Sequence, residues 1–316
     1  MSERPGPAVL MAIALTTACT LALQVVLSRF FSAVIAYHFS FLAVSIAMLG
    51  MGAGAMLVYI RPAWFECASG KGAETTSTPR TVLARLCVAF SASLVVIPFL
   101  LVRIDFTQRG PLGLSFAVSL ALSCLLCVVP GLFSGLVVAL AIARYRAAIG
   151  AVYAWDLVGA GLGAFAVVPA LYLLDAPTLL VCLGALAAIG AALFAGPARG
   201  TRLVAIAVLV LGLGAVGASR NGSVLRLPHY YELPPDALQV AERWSPLARV
   251  YGFRLPDNDD IALLFYDRVF APVPIVRPGE IPDWKRLNTG PGSIGYALVD
   301  PGRTLIIAFF IGNFEI

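Results

Sequence analysis

"GPLGLSFAVSLALSCLLCVVPGLFSGLVVALAIA", Gly110 to Ala143, contains no charged residue. A surface helix of a soluble domain keeps a polar face, and this stretch has none. It therefore reads as a membrane span. At ~1.5 Å per residue it is longer than the ~30 Å apolar core of a bilayer, so one straight crossing does not use it all. "VVPGLFSG" (Val128–Gly135) is the expected kink, because Pro130 lacks a backbone donor.

Six further uncharged runs flank this one: Pro5–Ser28, Phe30–Ile60, Leu86–Val102, Leu157–Leu174, Ala176–Ala198 and Leu203–Ser219. Most reach the roughly 18–20 residues that a crossing needs. The fold class expected is a polytopic α-helical membrane bundle of about seven spans, near 8–27, 34–60, 82–102, 113–143, 151–173, 177–195 and 203–218. The first run lacks the small-residue cleavage site of a signal peptide.

Composition agrees. The 316 residues are 60% apolar and 12% charged, with a mean hydropathy of +0.90. Residues 1–218 hold 12 Lys/Arg against 6 Asp/Glu, whereas 219–316 hold 10 against 11. The net charge of +5 thus comes from loops of the apolar part, which fits membrane ends and excludes a nucleic-acid surface.

With seven spans and the N-terminus inside, inner segments carry nine positive residues: Arg4, Arg61, Lys71, Arg80, Arg85, Arg144, Arg146, Arg199 and Arg202. Outer segments carry three, Arg29, Arg103 and Arg109. The excess of inner positives favours this orientation and puts residues 219–316 outside. The expected location is a multi-pass bacterial inner-membrane protein, with the lipid bilayer as its partner.

Cys19, Cys87, Cys124, Cys127 and Cys182 fall in spans and Cys67 in a loop, which is no disulfide framework. Cys124 and Cys127 have CxxC spacing inside an apolar helix without a second ligand pair, so packing explains them and no metal ligand is assigned. "LGMGAGAM" (Leu49–Met56) and "GAGLGA" (Gly159–Ala164) set small residues three and four apart, which lets helix backbones meet closely in lipid. The same stretches are candidates for pairing two copies of the chain into a homo-oligomer.

Two polar residues stand out in the spans. Asp156, in "YAWDLVGAG", is costly there and requires a partner or water. It is either a contact for a proton, cation or amine, or an interfacial acid balancing Arg144 or Arg146. His38, in "AYHFSF", either pairs across helices or is a satisfied polar side chain at a span edge.

After Ser219 the chain changes character. Pro and Gly recur, and short β-type runs alternate with turns. Strands are expected at Leu247–Leu255, Ile261–Tyr266, Val273–Val276 and Arg303–Ala308, with "DNDD" (Asp257–Asp260) as a solvated turn and not a calcium loop. The domains expected are 1–218, transmembrane; 219–302, small and β-rich; and 303–316, the incomplete start of an α/β domain. No Ser-His-Asp or Cys-His arrangement is present; the tail's histidine is His229.

"ERWSPLARVYGF" (Glu242–Phe253), "IALLFYDRVFAPVPIV" (Ile261–Val276) and "GSIGYALVDPGRTLII" (Gly292–Ile307) resemble, in that order, the small β-domain and first Rossmann-type strand of spermidine synthase-like proteins. In the apolar half, "LQVVLSRFFS" (Leu23–Ser32), "IAMLGMGAGAM" (Ile46–Met56) and "YAWDLVGAGLGA" (Tyr153–Ala164) are similar to the multi-span region that some bacterial members carry. The resemblance implies a methyltransferase-like α/β domain that transfers an aminopropyl group from decarboxylated S-adenosylmethionine to an amine.

The cofactor loop would fall at "AFFIGN" (Ala308–Asn313), where Phe309 and Phe310 replace glycines, and the aspartate that would act as base is absent. No catalytic or cofactor-binding residue is carried over, and the chain is expected to be truncated at the first Rossmann-type strand and inactive as written. Arg268 also stands where the turn after Asp267 often has glycine. A cytosolic cofactor would need the tail inside. Against seven spans, either one span is miscounted, with Leu203–Ser219 the one to strike, or the tail meets no cytosolic cofactor. The alternative function is a membrane transport or binding module for an amine or ion that uses Asp156.

Overall fold

The computed structural model describes residues 4–35, 37–65, 79–106, 113–220, 225, 227, 238–255, 258–267 and 269–274. The expected strand at 303–308, the loop at 278–293, Cys67 and His229 lie outside these residues. The chain divides into two compact units. One comprises Met1–Glu232 together with Arg243–Arg249 and Tyr266–Arg268; the other comprises Leu233–Glu242, Val250–Phe265 and Val269–Ile316.

The first unit is built on seven helices: α1 Pro7–Val34, α2 Phe39–Ile60, α3 Pro79–Leu101, α4 Leu114–Arg144, α5 Ile149–Leu173, α6 Ala176–Ala195 and α7 Arg199–Arg220. All seven are long and apolar enough to cross a membrane, as a multi-pass membrane protein requires. α7 is among them and packs on α3 and α6. α4 continues through Pro130 to Arg144 as one helix, so the proline does not end it. Losing one donor is tolerated where neighbouring helices cover the gap, and Pro130 is buried.

One correction concerns Arg29. It is not a loop residue; α1 runs seven residues beyond the expected end at 27 and takes Arg29 into its last turns, buried.

α1 and α6 are the inner helices. The most apolar window of each is 67% and 72% buried, against 22% for α5 and 11% for α7, whose apolar faces are left for lipid. Glycines set the closest contacts. Gly50 and Gly54 of α2 meet Gly131 and Gly135 of α4, and a Cβ on Gly50, Gly54 or Gly135 would overlap a carbonyl oxygen across the interface. Gly159 and Gly163 of α5 lie in the same way against Ala14 and Ala18 of α1. Gly52 and Gly161, in the same two motifs, face open space.

Inside the bundle, hydroxyls bond back to helical carbonyls. Thr16 and Thr20 reach the carbonyls four residues earlier, and Ser91 of α3 reaches the Gly184 carbonyl of α6 at 2.8 Å. Asp175 caps α6 by accepting from the Thr178 N–H at 3.4 Å. At its other end the Arg80 guanidinium donates to the Leu193 carbonyl at 3.4 Å, where the helix dipole favours a cation.

The strands are β1 Leu238–Trp244, β2 Arg249–Leu255, β3 Asn258–Tyr266 and β4 Val269–Pro274, in sheet order β1-β2-β3-β4. Links as short as Ser245–Ala248 join only antiparallel neighbours, so the sheet is a meander. β1 was not foreseen. β2 and β3 match the expected strands closely. β4 begins four residues earlier than the expected Val273. Asn258, Asp259 and Asp260 belong to β3, not to the expected turn.

In the second unit, Tyr251 and Phe253 project from one face of β2, and Phe265 of β3 stacks on Tyr251 at 4.9 Å. Phe253 meets Phe265 edge-on at 5.8 Å, closing an aromatic cluster across the two strands.

Candidate functional site: the Asp267 cluster at the end of α1

Asp267 occupies the turn between β3 and β4 with φ +52°, the one positive φ at a non-glycine position among the described residues. Aspartate tolerates this left-handed region better than most side chains because its carboxylate bonds locally. Here the Asp267 N–H donates to the Arg249 carbonyl at 2.8 Å, and the Arg249 N–H returns a bond to Asp267 Oδ1 at 2.8 Å. This closed exchange holds Asp267 in the left-handed region.

The same carboxylate faces α1. Arg29 Nη2 donates to Oδ1 at 2.7 Å and Ser32 Oγ donates to Oδ2 at 3.2 Å. Arg29 and Ser32 lie three residues apart and so share a helix face. The side chains of Arg29 and Asp267 are only 10% and 19% exposed. An arginine at this depth is tolerated because an acid neutralises it. Arg29 Nε is buried with no hydrogen-bond partner among the described residues.

The neighbouring turn is tied down as well. Ser245 Oγ accepts from the N–H groups of Leu247 and Ala248, fixing the reversal before β2. The buried Arg249 lays its guanidinium 5.6 Å from the centre of the Trp244 ring and donates to the Leu227 carbonyl at 3.4 Å. Trp244 in turn packs against the bundle core.

With three donors converging on it, the Asp267 carboxylate is a fastening and is poorly placed to accept a proton from a substrate. Seven is odd, so the chain leaves α7 at the end of the bundle where α1 finishes. The bond from Arg29 to Asp267 lies at that same end.

The two residues singled out from sequence are not brought together. Asp156 is half-buried in α5, and its backbone carbonyl accepts from Thr17 Oγ1 at 3.1 Å. Its carboxylate has no hydrogen-bond or ion-pair partner among the described residues, and neither Arg144 nor Arg146 reaches it. His38 is exposed before α2, its ring 3.7 Å from that of Tyr37. From the level of Thr17 to the end of α1 is ~25 Å at 1.5 Å per residue. Cys19 and Cys87 face α6, each directing Sγ at a carbonyl, Leu183 at 3.4 Å and Ala187 at 3.6 Å. Cys124 and Cys127 are free thiols.

Sequence reasoning missed Arg29, Ser32 and Arg249. One signal was available. Arg29 alone separates two apolar runs, and a single charge in such a place demands an acid elsewhere. Compared with protein-family models, curated proteins and solved structures, the chain matches none.

Proposed function

We propose that these 316 residues are the membrane anchor and small β-domain of a spermidine synthase-like protein of the bacterial inner membrane, and that they do not themselves transfer an aminopropyl group. One observation carries the reading. Three of the stretches that resemble that class, far apart in sequence, meet at one carboxylate. Leu23–Ser32 supplies Arg29 and Ser32, Glu242–Phe253 supplies Arg249, and Ile261–Val276 supplies Asp267. Ile46–Met56 and Tyr153–Ala164 supply the glycines of the two closest helix contacts.

The inactive part of the proposal rests on chemistry. The sequence has bulky Phe309 and Phe310 where a cofactor loop needs glycine, and Asp267 is already engaged by three donors. Calorimetry on the purified protein in detergent should give no saturable binding of decarboxylated S-adenosylmethionine, and labelled cofactor should yield no aminopropylated amine. Stoichiometric micromolar binding would overturn this.

A second reading keeps Asp156 as the contact for an amine or ion, favoured by its half-buried carboxylate without an arginine partner among the described residues. It predicts that Asp156→Asn abolishes uptake into vesicles; unchanged flux would remove it.

A further inference from the structure

The glycine contacts fix more than packing distance; they fix register. Gly50 faces Gly131 and Gly54 faces Gly135, so α2 and α4 run parallel. Carried forward, that register brings Arg61, which follows the last residue of α2, level with Ile142, two residues before Arg144 at the end of α4. Arg146 follows in the short turn Arg146–Ala148. The α1–α5 pair does the same with Gly159 against Ala14 and Gly163 against Ala18, which brings Arg4 level with Ile149, just beyond Arg146.

Four arginines thus gather at one end of the bundle, all exposed. None of them forms an ion pair among the described residues. This contrasts with Arg29, buried at the opposite end on a carboxylate. Beside Arg61, the exposed Trp64 ring lies 5.8 Å from its guanidinium. An aromatic ring of this kind settles at headgroup depth and holds the neighbouring cation there.

We propose that Arg61, Arg144 and Arg146, with Trp64 beside them, form a binding surface for the phosphate headgroups of anionic lipid in the leaflet that meets the ends of α2 and α4. Charge complementarity selects the partner. Guanidiniums at a membrane surface present several donors in a fork that matches a phosphate, and an anionic leaflet attracts each basic group near it. Zwitterionic lipid brings its own cation and gains less.

The test uses the full chain in detergent, supplemented with phosphatidylglycerol or with phosphatidylcholine of the same acyl chains. Phosphatidylglycerol should raise the unfolding midpoint clearly more than phosphatidylcholine does. The combined variant Arg61→Gln, Arg144→Gln, Arg146→Gln should lose that difference, while Arg103→Gln, exposed at the opposite end, should keep it. Equal protection by both lipids, or protection by inorganic phosphate alone, would overturn the proposal. So would a combined variant that still responds as the parent does. Should that variant not fold, mass spectrometry of the parent chain released from mixed-lipid nanodiscs reads the same point. Retained phosphatidylglycerol enriched several-fold over its bulk share is expected, and retention at the bulk share would contradict the assignment.

Discussion

α1 is held in two different ways along its length. Near its start, Ala14 and Ala18 lie against the backbone of Gly159 and Gly163, with no charge involved. Near its end, Arg29 and Ser32 grip Asp267 through charge and hydrogen bonds. In lipid there is no hydrophobic drive to pull one apolar helix onto another, so close fit does the work at the first place. At the second, a charge must be neutralised or leave the apolar region, and its partner comes from 238 positions along the chain. Shape joins helix to helix; charge joins a helix to a strand turn.

The two ends of α1 also differ in the charge around them. The start of α1 shares its end of the bundle with Arg61, Arg144 and Arg146, and the Asp267 contact lies at the other. A phosphatase fused after Ile316 should be active outside the cytoplasm; a silent phosphatase there would mean that the span count or the orientation is wrong. Among substitutions, Asp267→Ala should have the largest effect. It leaves Arg29 buried without its acid, a loss on the order of 3–5 kcal/mol, read from unfolding in mixed micelles.

Gly163→Ala and Gly135→Ala come next. The new methyl group would overlap a backbone carbonyl of the facing helix, for a loss of about 1–3 kcal/mol. Gly161→Ala, two residues from Gly163 and facing open space, should stay within about 0.5 kcal/mol of the parent. If Gly161 and Gly163 behave alike, shape is not what holds this end. Thr17→Val should be the mildest change at a contact. It removes the bond to the Asp156 carbonyl at a cost of about 0.6 kcal/mol, typical of interhelical hydrogen bonds in membranes.

The bundle was legible because each span is built on a long uncharged run, a signal that needs no partner to interpret. The use of Gly50, Gly54, Gly159 and Gly163 was legible for a related reason, since small residues at that spacing have few other uses in lipid. Their intended faces were not legible. Gly131 and Gly135 sat in a motif whose proline drew the attention, and nothing local separates Gly161 from Gly163. β1 escaped because Glu242 falls on the face that Leu238, Val240 and Trp244 share, which breaks the alternation. The Asp267 cluster escaped for a deeper reason. Its members come from three distant stretches, and Arg29 taken alone reads as the edge of a span. Only the fold tells a loop arginine from one buried on an acid.

Arg29 and Asp267 act as one joint. A double-mutant cycle tests it most directly: Arg29→Gln, Asp267→Asn and the two together, each measured by equilibrium unfolding in the same mixed micelles. Each single change should be costly and the double change should cost clearly less than their sum, with a coupling of about 1–3 kcal/mol. Additive effects of the two changes would contradict it.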